Sequence, residues 1–459
     1  MKKFSCMALL FSLLLITACS SESGKGQSFK EAHDAFETKL IREESDQNPV
    51  PEPPAGVFDL VYYDSEVGKL AAYVSSDPGE NEKRPMMIWV TGGWGNGLDE
   101  IAWSYPDWEN DQTASAFREA GILMMYPSFR GGSGNPGNYE TLFGEVNDIV
   151  SAYEYAASLP YVDPDRIYLG GHSTGGTRAL LASEYTDQFR AVFSFGPVDD
   201  VSYHNASEFT FDTENKEEYR LRSPIHWLSD IKSPTFVIEG SAGNASNLKE
   251  IERQSKNENL QCFIVEDADH FSVLAPVTRL FAQKVIKDTG VEPDISLTEK
   301  ELQTAMKQVP EKIYPLMKTY RNEMFGFGME IPAIWEVFDE SEDEADIMFA
   351  SAYEGDNFWE ASLLFSYVYE AESAVAFSEF IQYLNSEGDQ YEGSEIDING
   401  QKAFSAECLT YSSGISFYSK VIGIQKNGKF YEFWFDTPEE FWEDASIIFE
   451  QVIESITLK

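Results

Sequence analysis

The stretch Ile167-Tyr168-Leu169-Gly170-Gly171-His172-Ser173-Thr174-Gly175-Gly176 organises the rest of the chain. An apolar run stops at glycines, a serine follows, and small residues open the next segment. Within it, Gly171-His172-Ser173-Thr174-Gly175 has the G-x-S-x-G spacing of a serine held on a sharp turn between strand and helix. The turn forces the serine into a strained backbone conformation and lifts its hydroxyl above the sheet. Glycines two before and two after it let strand and helix pack closely. The Thr174 amide would then open a helix and point toward developing negative charge.

Outward from this turn the chain alternates. Leu60-Val61-Tyr62-Tyr63 and Leu70-Ala71-Ala72-Tyr73-Val74 read as opening strands. Strands follow at 86–90, 122–126, 191–195, 235–239 and 261–265, with helices near 114–120, 143–157, 248–254 and 273–287. Fully apolar strands alternating with helices predict an α/β fold with a mostly parallel sheet covered on both faces. In such sheets the reactive groups sit on loops at the carboxyl ends of the strands. Three features fall there: Ser173, the glycine-rich loop Gly92-Gly93-Trp94, and His270 just after the last strand. The chain has five histidines, and His270 lies where a base for Ser173 is needed. His172 reads as packing beside the serine. Trp94 has two readings, as a wall of an acyl pocket or as cover for the sheet edge.

Val162-Asp163-Pro164-Asp165-Arg166-Ile167 leading into Gly171-His172-Ser173-Thr174-Gly175-Gly176 resembles the prolyl-oligopeptidase-type (S9) branch of the α/β-hydrolases. Ser223-Pro224-Ile225, Ser233-Pro234-Thr235, Arg130-Gly131-Gly132-Ser133-Gly134 and a histidine followed by a long helix share that resemblance, which covers about Phe58 to Lys287 without a β-propeller. The resemblance implies that Ser173 is the nucleophile and His270 the general base. It also implies that the amides of Thr174 and of Gly93 or Trp94 form the oxyanion hole. The family's aspartate, a few residues past the strand ending at Glu239-Gly240, has no counterpart, because the chain reads Ser241-Ala242-Gly243-Asn244-Ala245. Asn244 is one candidate partner for the histidine. Asp199 or Asp200, after the preceding strand, is another. Glu239 is the third, at the strand end and early in sequence. Loss of the acid lowers the rate of such enzymes by up to roughly 10⁴.

Two functional readings follow. One is a membrane-tethered serine hydrolase that cleaves an ester or peptide-like amide through an acyl-enzyme on Ser173. The other is a catalytically degenerate hydrolase scaffold serving as a binding or assembly lipoprotein of the cell envelope. No metal or cofactor motif is read, and no cofactor is expected. A formal net charge of −44 argues against nucleic-acid binding.

At the amino end, Lys2 and Lys3 precede an apolar run, Phe4 to Ala18, too short for a comfortable membrane span and suited to a secretory h-region. It ends Leu15-Ile16-Thr17-Ala18-Cys19, which resembles a bacterial lipobox. The resemblance implies cleavage before Cys19, lipidation of that cysteine, and anchoring of an exported protein to a bacterial membrane. Cys262 and Cys408 fit no metal spacing and are expected as free buried thiols, with one disulfide between them as the alternative.

The reading divides the chain into a signal peptide at 1–19, a tether at 20–55, the first domain at 56–290, a helical linker at 291–318 and a second domain at 319–459. The second domain has hairpin signals at Asn399-Gly400 and Asn427-Gly428. A helix capped by Ser373 and another opened by Thr437-Pro438-Glu439-Glu440 are expected. Phe327-Gly328-Met329-Glu330-Ile331-Pro332 with Trp335, followed by strands, hairpins and a terminal helix, resembles the PsbP/Mog1-like α+β sandwich. That resemblance implies a binding role toward an envelope protein.

Overall fold

A computed structural model describes residues 26–79, 82–103, 108–308, 316–333, 335–339, 347–350, 362–371, 373–412 and 415–459. The leader with Cys6 and Cys19, the prolines 310 and 315, and Trp359 lie outside the described residues.

The first unit is built on eight strands: β1 (Phe58–Ser65), β2 (Gly68–Ser75), β3 (Arg84–Val90), β4 (Leu123–Pro127), β5 (Val162–His172), β6 (Val192–Phe195), β7 (Thr235–Gly240) and β8 (Leu260–Val265). Their order is β1-β2-β4-β3-β5-β6-β7-β8. The β1/β2 and β2/β4 pairs are antiparallel, and every later pair is parallel. This is an α/β-hydrolase fold.

The helices of this unit are α1 (Phe29–Asp34), α2 (Ser115–Glu119), α3 (Gly144–Ser158), α4 (Thr174–Tyr185), α5 (Lys216–Arg220), α6 (Ala245–Gln254) and α7 (Leu274–Lys287), and α8 (Glu299–Ala305) follows. Successive side chains on a strand point to opposite faces, so the continuous apolar run in β3 serves two cores. Met86, Ile88 and Val90 pack with Ile149 and Ala152 of α3 and Ala179 of α4. Met87 and Trp89 pack with Phe117 of α2 and Phe281 of α7.

The expected linker is tied to this body. Ile295, Leu297 and Leu302 join the core that holds Phe281, and α8 opens on a capping box between Thr298 and Glu301. Asp288 is buried in an ion pair with Arg190. Composition marks 288–296 as polar, but its few apolar residues have a sheet face to cover.

The C-terminal region forms a separate α+β unit. Strands β9 (Met317–Asn322), β10 (Phe327–Pro332) and β18 (Thr457–Leu458) make a small antiparallel sheet. A second antiparallel sheet runs β11 (Glu336–Asp339), β12 (Ile347–Ala350), β13 (Leu363–Glu370), β17 (Lys429–Pro438), β16 (Ile415–Lys426), β15 (Gln401–Ser412) and β14 (Glu392–Ile398). Helix α9 (Phe377–Leu384) covers one face through Phe380 and Leu384. Helix α10 (Trp442–Ser455) covers the other through Ile448, Phe449 and Val452. Both Asn-Gly turns have positive φ at both central residues, as two-residue hairpins with type I′ turns require.

Two cap assignments differ from expectation. Ser373 does not cap α9. Its carbonyl accepts from Gln425 Nε2, and the helix starts after Ala376, which is extended. Thr437 lies within β17, where its hydroxyl accepts from Ser362, and a short 3₁₀ turn precedes α10. At Thr437 a tertiary partner takes the hydroxyl that a local cap would have used. Cys262 and Cys408 are free, Cys408 buried and Cys262 partly so.

Candidate active site

Ser173 follows β5 directly and precedes α4, with φ 57° and ψ −121°. A positive φ in a non-glycine residue is strained backbone held by its surroundings. The elbow glycines are required by close approach. A Cβ on Gly171 would lie 2.5 Å from the Gly175 carbonyl oxygen, and one on Gly175 would lie 2.2 Å from that of Val90. The Ser173 amide donates to the Phe195 carbonyl at 2.8 Å, which pins the turn to the end of β6. Ser173 itself is partly exposed, and Thr174 takes the first position of α4.

The loop after β3 stands over the serine. A Cβ on Gly92 would lie 3.2 Å from Ser173 Cβ, and the Thr174 hydroxyl donates to the Gly93 carbonyl. Gly93 has φ 91°, and the next residue, Trp94, packs edge-on against His204 and Phe209. Trp94 therefore packs on the segment after β6.

His270 arrives on the loop after β8. Its ring lies 4.5 Å from that of His172, centroid to centroid, and stands over Gly196, the residue after Phe195. A Cβ on Gly196 would lie 2.5 Å from His270 Cε1. Serine, histidine and glycine-rich loop thus share one rim of the sheet.

Of the four candidate partners for the histidine, Glu239 makes the close contact. Its Oε2 lies 2.8 Å from His270 Nδ1, and its side chain is fully buried. Oε1 accepts from the Gly240 amide at 2.7 Å. The carboxylate occupies a slot between two glycines. A Cβ on Gly196 would come within 2.7 Å of Oε2, and one on Gly243 within 2.5 Å of Oε1.

Asn244 is exposed, with Nδ2 3.4 Å from the same Nδ1. An amide nitrogen cannot accept the proton that Nδ1 gives to Glu239, so this is a contact of two donors. Asp200 accepts from the Ser202 amide and the Ser223 hydroxyl, turned away from the histidine. Asp199 lies largely buried beside it, with its carboxyl raised by burial. Sequence position argued against Glu239 because an aspartate in this fold comes later. One extra methylene and two missing side chains supply the reach. The readable signal was the glycine pair 196 and 243, which marks space for a carboxylate.

His172 is buried, and its Nε2 lies 3.0 Å from the His270 carbonyl. A carbonyl only accepts, so Nε2 carries the proton, and Nδ1 is left without a partner. Burial, then the neighbouring His270, pushes the His172 imidazole down to about 3. His172 is therefore a neutral donor that holds the His270 backbone.

Residues 108–276 match the prolyl oligopeptidase family (Peptidase S9). A curated relative, the uncharacterized peptidase YtmA of Bacillus subtilis, is 29% identical over 136 residues, 27% of this chain and 53% of that one. The match thus spans about half the length of that relative. Among solved structures, a puromycin-hydrolyzing peptidase of Mycobacterium tuberculosis aligns over 52% of this chain and 40% of its own, at 19% identity and TM-score 0.43. Dipeptidyl peptidase 4 of Porphyromonas gingivalis aligns over 50% of this chain and 35% of its own, at 18% identity and TM-score 0.41. An esterase of Pyrococcus furiosus aligns over 54% of this chain and 97% of its own, at 14% identity and TM-score 0.40.

Proposed function

We propose that this chain is a serine hydrolase of the prolyl oligopeptidase type, with Ser173 as nucleophile, His270 as general base and Glu239 as the acid that orients it. The observation that carries this reading is the 2.8 Å contact of a fully buried glutamate with the histidine that stands beside the serine turn. Ser173 Oγ attacks the carbonyl of an ester or peptide-like amide, and His270 takes its proton. Glu239 accepts from Nδ1–H, selects the tautomer with a free Nε2 and stabilises the imidazolium that forms. The amides of Thr174 and of Gly93 or Trp94 receive the oxyanion. His270 then protonates the leaving group, and water repeats the sequence on the acyl-enzyme.

The scaffold reading rested on a missing acid and on the appended C-terminal domain. With Glu239 against His270, the first reason for it is gone. The run from Lys2 to Cys19 supports placing the enzyme outside the cytoplasm on a lipid anchor at Cys19. The C-terminal α+β unit is a candidate for a PsbP/Mog1-like module that binds an envelope protein.

A fluorophosphonate probe tests the chemistry. Wild-type protein labels and Ser173→Ala does not; a folded wild type that stays unlabelled sinks the reading. Matched p-nitrophenyl esters and aminoacyl p-nitroanilides then divide esterase from peptidase. Incorporation of radiolabelled palmitate that disappears in Cys19→Ser tests the anchor.

A further inference from the structure

We infer that Asn96 is a positioning residue for the oxyanion hole: it ties the Gly93-Trp94 loop to α4, the helix that follows Ser173. The inference rests on the serine hydrolase reading above.

The loop is held to α4 at two places. Near the serine, the Thr174 hydroxyl donates to the Gly93 carbonyl. One helical turn on, at i+4 from Thr174, Arg178 reaches the far end of the loop. Its Nη2 lies 2.8 Å from Asn96 Oδ1 and 3.4 Å from the Gly95 carbonyl oxygen. Nucleophile, helix amide and loop amides are therefore braced by one rigid element.

Asn96 is 1% exposed and joined on every side. Its Nδ2 donates to the Arg130 carbonyl and to Glu145 Oε1, each at 2.8 Å. Its own carbonyl accepts from the Phe129 amide at 2.9 Å and the Ser128 hydroxyl at 2.7 Å. A Cβ on Gly132 would lie 2.1 Å from the Asn96 carbonyl carbon, so the loop after β4 is packed flat against it. Arg178 and Glu145 are also buried, and Arg178 lies over the Phe129 ring.

The chemistry calls for an amide here. One side chain must accept from a guanidinium on α4 and donate to a carbonyl and a carboxylate on the other side. Asparagine does both, whereas aspartate would set a second carboxylate against Glu145. Because the loop amides act only on the oxyanion, loosening them weakens the transition state more than the bound substrate.

Asn96→Ala and Arg178→Met test the brace, the first removing the acceptor for Arg178 and the second keeping an apolar stem on Phe129. Turnover of p-nitrophenyl butyrate and inhibition by a phenylboronic acid, which forms a tetrahedral adduct, are read on variants whose thermal unfolding shows a folded protein. The expected result is a roughly 10- to 100-fold loss in kcat, an equal loss in boronate affinity and a KM within about twofold of wild type. The double variant should lose less than the product of the single losses, because both changes break one linkage. Folded variants with wild-type kcat, or with raised KM and unchanged kcat, or with lowered kcat and unchanged boronate affinity, overturn the role of Asn96. If one variant fails to fold, the same readings on the other decide. A wild type that fails to label with fluorophosphonate overturns the enzyme reading instead, and the two failures are thereby told apart.

Discussion

Glu239 reaches His270 from within β7 itself: the penultimate residue of the strand places its Oε2 2.8 Å from Nδ1. Its second oxygen is held by the amide of the next residue. A buried carboxylate so fixed has one orientation to offer the imidazole.

Removing its charge should therefore be costly for turnover and mild for the fold. Glu239→Gln is expected to lower kcat by roughly 10³–10⁴, since the amide no longer selects the productive tautomer. Asn244→Ala and Asp200→Ala should stay within about threefold of wild type, because neither group takes the Nδ1 proton. Steady-state kinetics on the three variants checks this, and an Asn244→Ala loss equal to that of Glu239→Gln would reject the assignment.

Gly196 leaves the space in which the Glu239 carboxylate and the His270 ring meet. Gly196→Ala puts a methyl group 2.5 Å from His270 Cε1 and 2.7 Å from Glu239 Oε2, at a φ of 57° that alanine tolerates poorly. Activity should fall at least 100-fold, and the thermal midpoint should drop. A Gly196→Ala protein of full activity would mean that the ring does not stand over this residue.

The neutral state of His172 makes stability depend on pH in a definite direction. Its folded value lies near 3, against 6.5 for the free group, so the unfolded chain takes up a proton that the folded one refuses. The associated stability is fully present above about pH 6.5 and declines as pH falls from there toward 3. His172→Gln keeps a donor for the His270 carbonyl and removes the titration. Urea unfolding at pH 7.5 and 4.5 should show a smaller loss on acidification in His172→Gln than in wild type. His33, also held low by burial, contributes to both proteins and drops out of the difference. Equal losses in the two proteins would contradict this account.

The segment after α7 should unfold with the hydrolase body. Arg190 Nε and Nη2 hold the two oxygens of Asp288 at 2.7 and 2.6 Å, and the Tyr168 hydroxyl adds a third bond. Arg190 also takes the carbonyls of Gly290 and Glu292. Arg190→Ala leaves a buried carboxylate unpaired, at a cost of about 3 kcal/mol. Denaturant unfolding should show that loss, and limited proteolysis should open new cuts between 288 and 297. An unchanged midpoint would mean that this segment is a linker after all.

The order of strands and helices in the first unit was legible because the central strands carry continuous apolar runs and the breaks between them carry glycine, proline or a polar cluster. Element edges were less so. β5 starts at Val162, ahead of the apolar run, because pairing with β3 recruits residues that have no hydrophobic pattern of their own. Thr437 failed as a cap because Ser362, distant in sequence, claims its hydroxyl, and the helix expected from Ser373 starts three residues later, after Ala376.

Local spacing determined the serine turn, the sheet type and the side of the sheet on which chemistry would lie, since these depend on neighbours within a few residues. Tertiary structure decided which acid meets the histidine, that His172 donates to the His270 backbone, and that Asn96 braces the loop over the serine. Each of those contacts joins residues tens of positions apart, across a gap set by side-chain length and by the glycines that leave room. Such a gap has no period and no motif in the linear chain, so it could be read only once the strands were laid side by side.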